Sequence, residues 1–209
     1  YLTENPYDKI TIPKPIKRGI DDIPNQDEYL LIKDYLDRWV DDYLDDKTEY
    51  RHINIISYIQ TQLGMRVGEV LILKWKKGRR DVGENHSFSY SYLSPKNDKV
   101  NIHFKRNRRV IPIKSKLTDL LRKVKLDTGN KTYVLEGHNN TTKRKNKKYM
   151  KKGQPLTSSY CSRPLKKLLK EIGIENDYST HTLRHGFISE LVRKNISMKK
   201  IGEFVGHKH

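Results

Sequence analysis

Between Thr180 and His207 the sequence sets His181 and Arg184 three residues apart, follows the arginine with His185, and adds His207 about one helix later. In a helix, positions i, i+3 and i+4 share a face, so His181, Arg184 and His185 project together. Leu183, Phe187 and Leu191 form a neighbouring apolar face that can dock on a core. Ser197 reads as the N-cap of the next helix and Gly206 as its C-terminal stop, which gives His207 a defined position just past the cap. The planar fork of an arginine matches two phosphate oxygens. A histidine donates to a phosphoryl oxygen or moves a proton near neutral pH. Held together, such groups suit a phosphodiester whose oxygens gain charge as phosphorus becomes five-coordinate. Spacing alone fits ordinary exposed side chains equally well.

Charge narrows the partner. The 209 residues carry a net charge of +18, unevenly spread. Residues 1–50 hold 7 Lys/Arg against 13 Asp/Glu, whereas residues 51–209 hold 36 against 12. A surplus of that size in a folded region points to a polyanion, bound by salt-sensitive phosphate contacts. Hydrophobic residues are only 34% of the chain, but 13 tyrosines and 2 tryptophans argue against disorder. The single cysteine, Cys161, excludes an internal disulfide or a cysteine metal cluster and reads as a small core residue. With no membrane-span pattern and no signal peptide, the chain reads as cytoplasmic, with no membrane partner.

The elements that must position these residues follow from periodicity. Pro6, Pro13, Pro15 and Pro24 make residues 1–24 an extended linker. Residues 26–46 carry a helical stripe through Leu30, Leu31, Ile32, Tyr35, Leu36, Trp39, Val40, Tyr43 and Leu44, with aspartates outside. Two further helices are expected over 50–63 and 66–74, around a turn at Gly64. The period then shortens. His86–Leu93, Val100–Phe104 and Arg108–Ile113 alternate as strands of a small antiparallel sheet. Helices return over Ser115–Leu126, Leu156–Ile172, Thr180–Lys194 and Ser197–Val205. Between them, residues 141–152 hold seven Lys/Arg in twelve positions, a basic loop suited to phosphate contact through Lys143, Arg144, Lys145, Lys147 and Lys148. The fold class is mainly α with a small antiparallel sheet, α+β.

At this point a resemblance enters. HTLRHG resembles the His-x-x-Arg box of the tyrosine recombinase (phage integrase) family, and GHK, with Gly206 and His207, resembles that family's next box. QLGMRVGEVLILKW resembles its first arginine box, with Arg66 after a helix and turn and Glu69 three residues on. VNIHFKRNRRVIPI resembles the hairpin that bears the family's catalytic lysine. The boxes stand in family order over about residues 50–209. The opening NPYDK resembles the linker from a preceding core-binding domain, so 25–209 is expected to be a catalytic domain. The family's nucleophilic tyrosine would fall after His209, which makes the chain a segment cut before it.

The resemblance implies a site-specific DNA recombinase or integrase of a mobile element, working without cofactor or metal on double-stranded attachment sites. The full-length protein would be a homotetramer on DNA and this segment a monomer. Cleavage would run through a 3′-phosphotyrosyl link, two transfers of similar energy that need no ATP. Arg66 and Arg184 would clamp the non-bridging oxygens, with His181 and His207 hydrogen-bonding to them and His181 helping to deprotonate the tyrosine. Lys105, whose ordinary pKa is about 10.4, would protonate the leaving 5′-oxygen. Lys96, Lys99, Arg106, Arg108 and Arg109 lie near enough to compete for that role, and Arg106, Arg108 and Arg109 also read as DNA anchors. Glu69 would orient Arg66 or its helix. Alternatives are a dimer-resolving recombinase, a type IB topoisomerase and a DNA- or RNA-binding regulator without catalysis. A metal-dependent nuclease would want clustered carboxylates, which the basic region lacks.

Overall fold

The computed structural model describes residues 23–76, 90–94, 99–104, 107–137 and 153–207. In chain order these form α1 (Gln26–Leu44), α2 (His52–Leu63), α3 (Val67–Leu71), β1 (Leu73–Lys74), β2 (Tyr90–Ser94), β3 (Lys99–Phe104), β4 (Asn107–Pro112), α4 (Ser115–Thr128), α5 (Ser158–Glu171), α6 (Thr180–Arg193) and α7 (Met198–Val205). Most of the expected linker, all of residues 141–152, and the pair Lys105 and Arg106 lie outside the described residues. None of the described helices is long and apolar enough to cross a membrane.

Helix α1 starts where a local signal tells it to. The Glu28 N–H donates to Asn25 Oδ1 at 2.9 Å and the Asn25 N–H to Glu28 Oε2 at 3.1 Å, a reciprocal cap that satisfies two backbone donors. Its core face runs through Tyr29, Ile32, Leu36, Trp39, Val40 and Tyr43. Leu30 and Leu31, expected on that stripe, are exposed instead. Three consecutive apolar residues cannot share one helical face, and Tyr29 is the one in phase with Ile32 and Leu36.

Helix α2 is the hub. It packs against α1, α3, α5 and α6, and nearly every side chain from Ile53 to Leu63 is buried, polar Asn54, Ser57 and Gln60 included. It ends at Gly64, which adopts φ +58°. A side chain there would be strained, and its Cβ would run into the Phe187 ring of α6.

The helix expected over 66–74 stops at Leu71. Leu73–Lys74 instead pairs in parallel with Ser91–Tyr92 of β2, and the Val134 N–H donates to the Leu73 carbonyl at 2.8 Å. Leu73 and Trp75 are buried with Lys74 between them half-exposed, a period of two that tertiary pairing imposes on a segment helical by local preference. The sheet order is β1-β2-β3-β4, antiparallel except for that first pair. Val100, Ile102 and Ile111 fill its inner face, while Val110 points out at 56% exposure. Cys161 is a buried core residue, and burial pushes its thiol up to about 11.

Helices α6 and α7 close the structure through a smaller apolar cluster of Tyr29, Phe187, Ile201 and Val205, with the Phe187 and Phe204 rings stacked 5.8 Å apart. Ser197 caps α7 and Gly206 ends it at φ +73°, as the sequence predicts. Gly186 lets α6 lie directly on the Tyr29 ring, in the space a Cβ would occupy. Gly186→Ala should therefore destabilise the fold by about 1–2 kcal/mol, since overpacking costs about 1–3 kcal/mol and helix propensity returns at most about 1. A urea denaturation midpoint at or above that of the parent would show that Tyr29 swings aside without cost.

Candidate active site

Two arginines from distant parts of the chain, Arg66 and Arg109, converge on one carboxylate, and a third, Arg184, lies beside them. Arg66 stands in the N-cap position of α3, directly after the Gly64 turn, with β/extended backbone. Its N–H donates to Glu69 Oε2 at 2.8 Å, and Glu69 closes the first turn of the helix from below. The Glu69 side chain has no exposed surface. Oε1 and Oε2 also accept from Nη1 and Nη2 of Arg109 on β4, at 2.9 and 2.6 Å, as parallel bonds of a fork. The Arg66 guanidinium reaches Oε1 less closely, at 3.3 Å, and donates to the Gly206 carbonyl at 3.4 Å.

Arg184 projects from α6 into the same region and is only 4% exposed. Its Nη1 donates to the Gly64 carbonyl at 2.5 Å and its Nη2 to the Val205 carbonyl at 2.7 Å. One side chain thus holds the turn before Arg66 and the end of α7 before His207. Burial brings its pKa down to about 10, helped by the neighbouring positive Arg66 and Arg109 and opposed by Glu69. It stays charged at neutral pH. Gln60 of α2 ties the same parts together, donating to the carbonyls of Met65 at 3.1 Å and Thr180 at 3.0 Å.

His207 follows the Gly206 cap and its N–H donates to the Gly202 carbonyl at 2.9 Å, so its backbone is held although its ring is exposed. Burial, then Arg184 and Arg66, with smaller contributions from His185 and Arg109, lower its pKa below the ordinary histidine value. The ring is therefore close enough to feel the arginine cluster. His181 and His185 are exposed, one on each side of the buried Arg184 along α6.

Arg66 with Glu69, Arg184 and His207 thus gather at one place from three separate stretches of sequence. Arg109 is set apart from the expected DNA anchors. Its side chain is 6% exposed and committed to Glu69, whereas Arg108 on the other face of β4 is exposed. Lys105, Arg106 and the basic residues Lys143, Arg144, Lys145, Lys147 and Lys148 lie outside the described residues. Sequence reading missed Gln60 and the Arg109–Glu69 pair. A glutamine inside an apolar helix was a signal for the first. For the second, Arg109 shares its strand parity with Ile111 and Arg108 with Val110, so either face of β4 could have been the inner one.

Residues 26–209 match the model of the phage integrase family. The chain belongs to that family. It is 27% identical to the integrase of Staphylococcus phage L54a over 230 aligned positions, covering all of this chain and 61% of the phage protein. It is 28% identical to a tyrosine recombinase of Thermosipho africanus over 207 positions, covering 99% of this chain and 60% of that one. The chain thus spans about three-fifths of the length of these relatives. Among solved structures, the XerA recombinase shares the fold with a TM-score of 0.58 at 17% identity, over 94% of this chain and 58% of that one. A lambda integrase tetramer bound to a Holliday junction gives 0.53 at 20% identity, over 90% and 47%. The mainly helical fold with its small sheet is therefore that of tyrosine recombinase catalytic domains.

Two measurements check the electrostatics. In an NMR titration the His207 ring should titrate below the ordinary value of about 6.5, and saturating inorganic vanadate should move its midpoint upward by offsetting the arginine charge. A midpoint at or above that ordinary value without anion would place the ring outside the influence of the cluster. Glu69→Gln should cost about 3–5 kcal/mol in urea denaturation, because it leaves buried guanidinium groups without their counter-charge. A loss under 1 kcal/mol would mean that solvent reaches Arg109.

Proposed function

We propose that the chain is the catalytic domain of a site-specific DNA recombinase of a mobile element, one that cleaves and rejoins double-stranded DNA through a 3′-phosphotyrosyl link. The observation that carries this reading is the convergence of Arg66, Arg184 and His207, with more positive charge than Glu69 can balance. Such a surplus, built partly into low-dielectric surroundings, suits a phosphodiester whose non-bridging oxygens become more negative at the transition state. Match to the phage integrase along the whole chain favours a mobile element over dimer resolution.

In this reading Arg66 receives the scissile phosphate with its half-exposed guanidinium, and Arg184 supplies charge from below. His207 enters the complex neutral and donates a ring N–H to a phosphate oxygen, with His181 doing so from the α6 side. Lys105 protonates the departing 5′-oxygen. The attacking hydroxyl must come from elsewhere than the buried tyrosines. Burial holds the hydroxyls of Tyr29, Tyr43, Tyr50 and Tyr58 well above the ordinary tyrosine range, and an acidic neighbour adds to this at Tyr29, Tyr43 and Tyr58. The family resemblance puts the nucleophile after His207, in a segment of the full-length protein. Cations outside the cluster, Arg108 among them, hold the DNA backbone, and the full-length protein works as a tetramer on paired sites.

In the full-length protein, Arg66→Ala should cut single-turnover cleavage of a nicked suicide substrate by about 10²–10³-fold. Affinity in a gel-shift assay at fixed salt should change little, because many other cations contact phosphates. Equal losses in binding and cleavage would make Arg66 an anchor. A parent protein that binds DNA but forms no covalent adduct would favour the non-catalytic regulator.

A further inference from the structure

We propose that Arg109 is a positioning residue whose task is to occupy Glu69, so that Arg66 remains free to engage the scissile phosphate. The proposal rests on the functional reading above for the identity of that phosphate, and on geometry for the rest. Glu69 is fully buried and needs charge-assisted partners for both oxygens. Arg109 supplies them with a complete fork at 2.9 and 2.6 Å. The Arg66 guanidinium makes one longer bond to the same carboxylate, at 3.3 Å, and keeps 27% of its side chain exposed. Two arginines thus compete for one carboxylate, and the one from β4 holds it more tightly.

The consequence of removing Arg109 follows from that competition. A buried carboxylate stripped of its main counter-ion recruits the nearest cation. Arg66 is three residues away with its backbone N–H already on Oε2. Its guanidinium would turn inward to replace the lost fork, and its charge would be withdrawn from DNA. Arg109 itself is too buried, at 6% exposure, to take that place on the phosphate.

Gly206 fits the same arrangement. A Cβ at this position would stand 2.6 Å from Arg109 Nη1, so the glycine leaves room for the fork as well as ending α7. The Arg66 guanidinium rests on the carbonyl of that same residue. Strand β4, the α2–α3 turn and the α7 terminus therefore meet at one pair of side chains, Arg109 and Glu69.

The test uses the full-length protein with Arg109→Lys, which keeps the charge but not the fork, and Arg109→Gln, which keeps neither. At saturating DNA, Arg109→Lys should slow single-turnover cleavage of the suicide substrate by about 10- to 100-fold, as expected for a misplaced catalytic group. Affinity for DNA should stay within about twofold at fixed salt, since a side chain only 6% exposed offers little to a phosphate. A substrate carrying a neutral methylphosphonate at the scissile position asks less of Arg66, and on it the gap between variant and parent should narrow. Independently of cleavage, NMR signals of the Arg66 guanidinium should become more protected from solvent exchange in Arg109→Lys, and in Arg109→Gln if that variant folds. Unchanged Arg66 signals overturn the proposal, as does parental cleavage or a defect of equal size on the neutral substrate. If the parent fails to cleave while the Arg66 signals shift as expected, the positioning role stands and the recombinase reading falls.

Discussion

A single carboxylate without solvent contact organises this protein. Glu69 sits at zero exposure and accepts from the Arg66 backbone, the Arg66 guanidinium and both ends of the Arg109 fork. A buried charge is tolerable only when its partners are close and well aimed. Meeting that requirement draws β4 onto the first turn of α3. It also fixes the backbone from which Arg66 projects. The acid is thus the counterweight that allows cations to be packed together without a bound anion.

The contacts that build the fold here are the contacts that hold the candidate site residues together. Arg184 satisfies two carbonyl groups, at Gly64 and Val205, that end helices and have no helical partner of their own. In doing so it joins the turn leading to Arg66 with the cap leading to His207. Gln60 repeats the device one layer deeper, between Met65 and Thr180. The cluster is held in place in advance, which, for the proposed cleavage, is the condition under which fixed charges stabilise a transition state most. In the proposed function, guanidinium groups supply positive charge of the kind that a divalent ion supplies in many phosphoryl-transfer proteins.

Sequence reading found the helices because their signals are local: the apolar stripe along α1, glycines at the ends of α2 and α7, Ser197 before α7. It singled out Arg66, Arg184 and His207 as candidates, with Glu69 beside Arg66, through order and spacing together with family resemblance, and the structure brings these residues together. It went astray where partners lie far along the chain. Leu73–Lys74 left the helical pattern because β2 offered it a ladder. Leu30 and Leu31 surfaced because Tyr29 took the core position on α1.

Caps, periodicity and charge balance act over a few residues, or over the whole composition, and these sufficed for the fold class and the basic character, whereas the candidate side chains also needed the family resemblance. Which arginine faces the carboxylate was settled elsewhere. Arg108 and Arg109 are neighbours of identical type on one strand, and only the pairing of β4 with β3, with Ile102 opposite Arg109, turns one inward and the other to solvent. Strand parity is a property of the assembled sheet, and linear order carries no record of which face the core will take.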